Sequence, residues 1–460
     1  MHSFELAFCA NKLQSNPFLL LSFIKKLEIM MIKKMTLSTI KNALLLVTLS
    51  ILLSGCASFG KGVAEAFLEK SDAQDTRVCQ VRGKAFEGIA PGLEKPKSKT
   101  KVLMVHGVGD HLPGYSTEFL EKLANELKLT AKASTYKDIQ LMSFSDPDQK
   151  LGELRVTRLQ NENSSQALWF YELTWSEITR DQKSLLAFDN SGEYSYRRAE
   201  VNDMLKKFSN DTGPDPIIYL GKSRDLILRS FAQAFCWMDK DNWDEIPKAG
   251  RQGCDFTNVL SDSSNQDDFV FISHSLGSRI TIDGITRMVS FLENPDKKST
   301  LRTINKLKRE ALQKRHVQIF MMSNQLPMLQ LGRELPEVTA QKADYCQLTG
   351  SKYTSRMFNE TSIIAFSDPN DLLSYAVPHD FSEKYLDSRL CINVTNININ
   401  VAKVFDAFGM GKMANPIEAH VGYSKDDRVV ALIAKGIGNG HAAPLVNEKC
   451  QWTEITDQDP

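Results

Sequence analysis

The stretch Phe269-Val270-Phe271-Ile272-Ser273-His274-Ser275-Leu276-Gly277 constrains the fold more than any other part of the chain. Its opening apolar run fits a strand buried on both faces, the kind found in parallel sheets covered by helices. The small residues that follow allow a tight turn, and a helix is expected from Leu276 to about Leu292. A strand that bends sharply into a helix lifts one side chain above the sheet, and here that side chain is the hydroxyl of Ser275.

Parallel strands need crossover connections, so strands and helices are expected to alternate along the chain. Lys101 to Val105 reads as a short buried strand, and Ser116 as the cap of a helix through Leu129 with Phe119, Leu120, Leu123 and Leu127 on one face. Further strands are expected at 139–144, 154–159 and 168–175 before Ser275, and at 316–322, 362–366 and 392–401 after it. The result is an α/β fold with a mostly parallel central sheet and helices on both faces. A chain of 460 residues exceeds the usual size of one domain, yet the pattern fits one enlarged domain over 101–460. Its largest interruption is a helical insertion at about 177–267, before the strand that leads to Ser275. Within it, Leu226, Ile227, Phe231, Ala234, Phe235 and Met238 recur at helical spacing. Such a helix either forms a lid or membrane-facing patch, or packs on the body, and the packed reading is preferred.

Lys plus Arg and Asp plus Glu both number 56, and no basic run is interleaved with aromatics, which argues against a nucleic-acid partner. The N-terminal region carries a targeting pattern instead. Lys33, Lys34 and Lys41 precede an apolar stretch from Ala43 to Leu53, too short to cross a bilayer as a mature helix. It ends in Leu53-Ser54-Gly55-Cys56, which resembles the lipobox of bacterial lipoproteins. That resemblance implies a diacylglycerol-modified Cys56 as the first mature residue, with 1–55 an upstream segment plus signal peptide. Translation is then expected to start at Met30, Met31 or Met35. Ala57 in place of Asp resembles Gram-negative outer-membrane sorting, so the expected location is the cell envelope, lipid-anchored and facing the periplasm. Residues 56–100 read as a polar tether and lead-in. Setting aside Cys9 and Cys56 leaves an even set of cysteines, as an oxidising compartment favours. The simplest pairing is Cys236 with Cys254, Cys346 with Cys391 and Cys79 with Cys450.

A serine hydroxyl is a poor nucleophile unless an imidazole takes its proton and a carboxylate fixes that imidazole's tautomer. Acyl transfer also needs donors for the charge that develops on the carbonyl oxygen. The amides of a Gly-rich loop such as Val105-His106-Gly107-Val108-Gly109-Asp110-His111 can supply them without side-chain obstruction. That loop lacks the third glycine of a dinucleotide site and the Gly-Lys-Ser/Thr of a phosphate-binding loop. No cofactor is implied, and the sequence contains neither His-Glu-x-x-His nor Cys-x-x-Cys, so no metal is expected.

Taken together, these motifs resemble the α/β-hydrolase superfamily of esterases and lipases over Lys101 to His441. Ser273-His274-Ser275-Leu276-Gly277 stands where the family has Gly-x-Ser-x-Gly, departing only in its first serine. The His106-Gly107 loop is similar to the family's oxyanion loop, and the resemblance implies donors at Val108 and Leu276. It also implies the chain order serine, acid, histidine. In Ser367-Asp368-Pro369-Asn370-Asp371 the acid is expected to be Asp371, with Asp368 as the alternative. His420, just ahead of a helix at about 426–435, is the expected base, and His441 the alternative. His274 reads as a spacer and His106 as a prop of the oxyanion loop, while His111, His316 and His379 have no assigned role. The activity implied is ester hydrolysis through an acyl-enzyme, with a lipid or acylated envelope component as substrate. The alternative is a noncatalytic envelope lipoprotein that uses the same scaffold to bind a protein or lipid partner.

Overall fold

The computed structural model describes residues 79–96, 98–144, 146–187, 198–255, 267–293, 309–406, 412–438 and 440–453. The signal-like segment and Cys56 lie outside them. Contacts divide the chain into two units, Met1–Ala73 with Tyr196–Lys206, and Gln74–Ser195 with Lys207–Pro460. In the first, Arg198 pairs with Asp203 at 3.0 Å.

The second unit is built on an eleven-stranded sheet. In chain order its strands are β1 (Cys79–Arg82), β2 (Thr100–Val105), β3 (Thr130–Met142), β4 (Lys150–Gln160), β5 (Ala167–Thr174), β6 (Ala249–Gln252), β7 (Asp268–His274), β8 (His316–Met322), β9 (Glu360–Ser367), β10 (Ile392–Ile399) and, after a separate β11–β12 hairpin (Val404–Asp406, Lys412–Ala414), β13 (Cys450–Trp452). Across the sheet the order is β13-β1-β10-β9-β8-β7-β2-β5-β4-β3-β6. From β10 to β5 all neighbours are parallel. The antiparallel pairs lie to the sides, at β1 with β10 and along β5-β4-β3.

The helices are α1 (Ala90–Glu94), α2 (Thr117–Leu127), α3 (Glu177–Ala187), α4 (Glu200–Thr212), α5 (Pro214–Leu220), α6 (Arg224–Met238), α7 (Gly277–Glu293), α8 (Lys342–Cys346), α9 (Phe381–Tyr385), α10 (Pro416–Val421), α11 (Asp427–Lys435) and α12 (Pro444–Lys449). They cover both faces, and the alternation of side chains along a strand divides the core accordingly. On β2, Leu103 and Val105 join Ile227 and Phe231 of α6 and Ile280 and Ile285 of α7. Val102 and Met104 of the same strand face the other way, into a cluster with Phe119 and Leu123 of α2 and Val429 and Leu432 of α11. No helix among the described residues is long and apolar enough to cross a membrane.

The central strands lie where the apolar runs place them, and β8 spans His316–Met322 as the sequence suggests. Several features differ. Residues 79–94, read as lead-in because they are polar and broken by glycine and proline, carry β1 and α1, and β1 pairs with β10 and β13. Helix α2 begins after Ser116, but the Ser116 hydroxyl does not cap it. That hydroxyl and the Ser116 amide both donate to Glu172 of β5, so a buried carboxylate from the neighbouring strand sits at the helix start. In the insertion, α6 is packed on the body, with Ile227, Phe231, Ala234 and Met238 fully buried. Disulfides join Cys79 to Cys450, Cys236 to Cys254 and Cys346 to Cys391, the pairing expected from spacing.

Candidate active site

Ser275 sits between the end of β7 and the first turn of α7 with φ of 54°. This left-handed conformation costs a non-glycine residue about 1–3 kcal/mol, strain that persists only when its surroundings enforce it. The enforcement is visible on both sides of the bend. The Ser275 amide donates to the Met322 carbonyl at 3.0 Å, tying the turn to β8. A Cβ on Gly277 would meet the Val105 carbonyl oxygen at 2.4 Å, so only glycine lets α7 come this close to β2. Ser273, where a glycine was expected, fits because its hydroxyl reaches the Phe320 carbonyl at 3.4 Å in a fully buried position.

The residues singled out from sequence converge on that bend. His420 Nε2 lies 3.2 Å from Ser275 Oγ, and His420 Nδ1 lies 2.9 Å from Asp371 Oδ1. With Nδ1–H donating to the carboxylate, Nε2 is free to accept the serine proton. Asp371 follows β9 and His420 lies in the last turn of α10, so both overhang the carboxyl ends of the parallel strands, where Ser275 also lies. Burial would raise the Asp371 carboxyl. Hydrogen bonds from His420, the Leu373 amide and Ser323 outweigh it and hold the carboxyl below its ordinary range.

The two alternatives are placed elsewhere. The Asp368 carboxylate accepts the amides of Asn370, Val401 and Ala402 at 2.8, 2.7 and 3.1 Å, which makes it a turn former that pins the end of β10. His441 lies in an exposed turn beyond α11. His274, read as a spacer, turns its ring toward the candidate base, its Nε2–H donating to the His420 carbonyl at 2.8 Å. Burial, and then the neighbouring His420, lowers its pKa to about 3.

The loop after β2 lies directly over the serine, so that a Cβ on Gly107 would stand 2.7 Å from Ser275 Cβ. His106 holds this loop. Its ring stacks on Trp175 at 4.7 Å, its Nδ1–H donates to the Gly107 carbonyl at 2.8 Å, and its Nε2 accepts the Trp175 amide at 3.1 Å. Burial pushes its pKa well below the usual range, and the neutral ring is what this bonding requires. The amides of Val108 and Leu276 have no acceptor among the described residues.

Several contributing residues escaped the sequence reading. Ser323, at the end of β8, donates its hydroxyl to Asp371 Oδ2 at 2.7 Å and stands 2.9 Å from His420 Nδ1. The Tyr423 hydroxyl lies 3.3 Å from Asp371 Oδ2 and accepts the Asp368 amide at 2.6 Å. His111 donates from Nε2 to the Val108 carbonyl at 3.2 Å, a second prop for the loop. The only available signal for Ser323 was its position, directly after a predicted strand.

Ser275 itself has no exposed surface. A cavity of about 390 Å³ opens beside the acid loop, lined by Arg82, Asp368, Asp371, Tyr375 and Asn396 and not by Ser275. Among the described residues no group of three or more His, Cys, Asp or Glu is placed to hold a metal ion. No family model, curated protein or solved structure matches this chain.

Proposed function

We propose that this chain is a serine hydrolase with an α/β-hydrolase fold that cleaves carboxylic esters through Ser275, His420 and Asp371. The observation that carries the proposal is the relay itself: one imidazole bonded at 3.2 Å to a hydroxyl on a strained strand-to-helix turn and at 2.9 Å to a buried carboxylate. Two further observations support it. The serine, acid and histidine occur in the chain order of that superfamily, and the amides of Leu276, next to the serine, and of Val108, next to the Gly107 that overlies it, have no acceptor among the described residues.

In this reading Ser275 Oγ attacks the ester carbonyl carbon while its proton passes to His420 Nε2. Asp371 keeps Nδ1 protonated and stabilises the imidazolium, and the amides of Val108 and Leu276 receive the oxyanion. The carbon–oxygen bond to the alcohol then breaks as His420 returns the proton to the departing oxygen, leaving an acyl group on Ser275. Water, deprotonated by His420, attacks that acyl group, and the carboxylic acid leaves as the serine regains its proton. No cofactor enters the cycle.

The lipobox-like Cys56 extends the proposal to location. An acyl anchor there would hold the enzyme to the envelope, on the outer membrane facing the periplasm. Lipids or acylated envelope components would then be within reach as substrates. The burial of Ser275 is the observation that favours the other reading, a noncatalytic lipoprotein that binds a protein or lipid partner. A fluorophosphonate probe separates the two. Labelling of the wild type that disappears in Ser275→Ala supports the hydrolase, and no labelling of a folded wild type overturns it.

A further inference from the structure

The loop over Ser275 is held on its far side by the helical insertion and by Ser176 just before it. The Gly109 amide donates to Asp215 Oδ2 at 2.7 Å, the Asp110 amide to Asp211 Oδ1 at 3.2 Å, and the His111 amide to Ser176 Oγ at 3.1 Å. Lys183 of α3 lies among the carboxylates, 2.8 Å from Asp110, 3.2 Å from Asp211 and 3.5 Å from Asp215. Asp215 has no exposed surface, and Lys183 is nearly as buried. Gly109 adopts φ of +92°, and a side chain there would press on Asp211 at 3.2 Å, so the loop is shaped to receive these groups. A buried carboxylate shared between one lysine and a backbone amide is costly unless the position of that amide matters.

We infer that Asp215 is a positioning residue for oxyanion stabilisation: by fixing the Gly109 amide it sets the Gly107–Gly109 turn so that the Val108 amide faces the carbonyl oxygen held at Ser275. This inference rests on the hydrolase reading. It ties the transition state to the seating of α3 and α5, since the loop keeps its shape only while Lys183 and Asp215 are docked on it. Burial pushes the Asp215 carboxyl up, against the pull of the Gly109 amide and Lys183. The Thr179 hydroxyl pulls in the same direction as these two.

The test compares Asp215→Ala with Asp215→Asn, whose amide oxygen still accepts from Gly109. Loss of one oxyanion donor costs on the order of 10²–10³ in kcat. A displaced donor is expected to cost Asp215→Ala about 10- to 100-fold in kcat with KM nearly unchanged, and Asp215→Asn restores most of it. A trifluoromethyl ketone inhibitor should lose affinity in proportion to kcat/KM. Hydrogen exchange over residues 106–111, measured without substrate, should rise in Asp215→Ala and not in Asp215→Asn. A loss confined to KM, equal losses in the two variants, or unchanged exchange overturns the inference. If the wild type fails to react with fluorophosphonate, the hydrolase reading falls and the oxyanion role falls with it, while the exchange data still decide whether Asp215 clamps the loop.

Discussion

Asp371 and Asp215 are both buried aspartates that hold part of the same site, yet their carboxyls are shifted in opposite directions. Around Asp371 converge His420, the Leu373 amide and the hydroxyls of Ser323 and Tyr423. Around Asp215 stand the Gly109 amide at 2.7 Å, Lys183 at 3.5 Å and the Thr179 hydroxyl. Burial is the largest influence at both and raises both, so the sign is decided by how many donors stand close enough to oppose it. The acid half of the site is therefore built around a carboxylate whose charge its donors favour, and the insertion half around one whose charge burial opposes more than its donors offset.

The largest expected effect tests this contrast directly. Asp371→Asn keeps the shape but offers an amide where Nδ1–H needs a carboxylate, and on the proposed mechanism the wrong histidine tautomer is expected to cost about 10⁴-fold in kcat. Asp215→Asn, which preserves its acceptor, is expected to cost only several-fold. Steady-state hydrolysis of a short-chain ester by both variants makes the comparison, and similar losses would erase the distinction between the two halves.

The next effect concerns stability. Asp283 of α7 binds Arg279, Arg224, Arg333 and the Tyr219 hydroxyl at 2.6–3.0 Å, joining the insertion to the helix that follows Ser275. Asp283→Ala leaves the nearly buried guanidiniums of Arg279 and Arg333 without their carboxylate, and removal of one partner from such a cluster costs about 3–5 kcal/mol. Urea unfolding should register that loss. A loss below about 1 kcal/mol would mean that α5 and α6 are held by apolar packing alone and that charge matters only at the loop.

A smaller, pH-dependent effect is expected from His274. Its folded pKa of about 3 lies below the ordinary 6.5, so the unfolded chain binds a proton that the folded chain refuses. Its contribution is fully present above pH 6.5 and falls away as the pH drops toward about 3, by roughly 1.4 kcal/mol per pH unit. His274→Asn should flatten the fall in Tm between pH 6.5 and 5, measured by circular dichroism. An unchanged slope would assign the acid sensitivity to other groups.

Sequence made one half of the site more legible than the other, for a physical reason. The bend at Ser275, the Gly-rich loop and the positions of Asp371 and His420 each combine a local turn chemistry with an adjoining strand or helix, and local patterns survive in one dimension. Asp215 has no such mark, because its meaning comes from the amide of Gly109, 106 residues away in the chain, and Lys183 has none because its partners are the carboxylates gathered there. The same holds for β1, a short polar strand whose partners lie more than 300 residues on. Strand β6 is exposed at every position, so no apolar run could announce it. Glu172 took over the start of α2 from Ser116 because a neighbouring strand brought a stronger acceptor.

Ser323 offers the finest test of the acid half. Its hydroxyl donates to Asp371 Oδ2 and its oxygen lies beside His420 Nδ1, so it can act only through the orientation and charge of that pair. Ser323 itself sits at φ of 49°, a strain that alanine would share, so Ser323→Ala removes the hydroxyl and leaves the backbone cost unchanged. A hydrogen bond to a charged group contributes about 1.5–3 kcal/mol, and the donors that remain on Asp371 should recover much of this, leaving a kcat loss of about 3- to 10-fold. The decisive measurement is the double variant with Asp371→Asn. If Ser323 works through Asp371, the double variant loses no more than Asp371→Asn alone, because the group it supports is already gone. Losses that multiply would instead give Ser323 a separate route to His420, and the acid half would rest on two independent props.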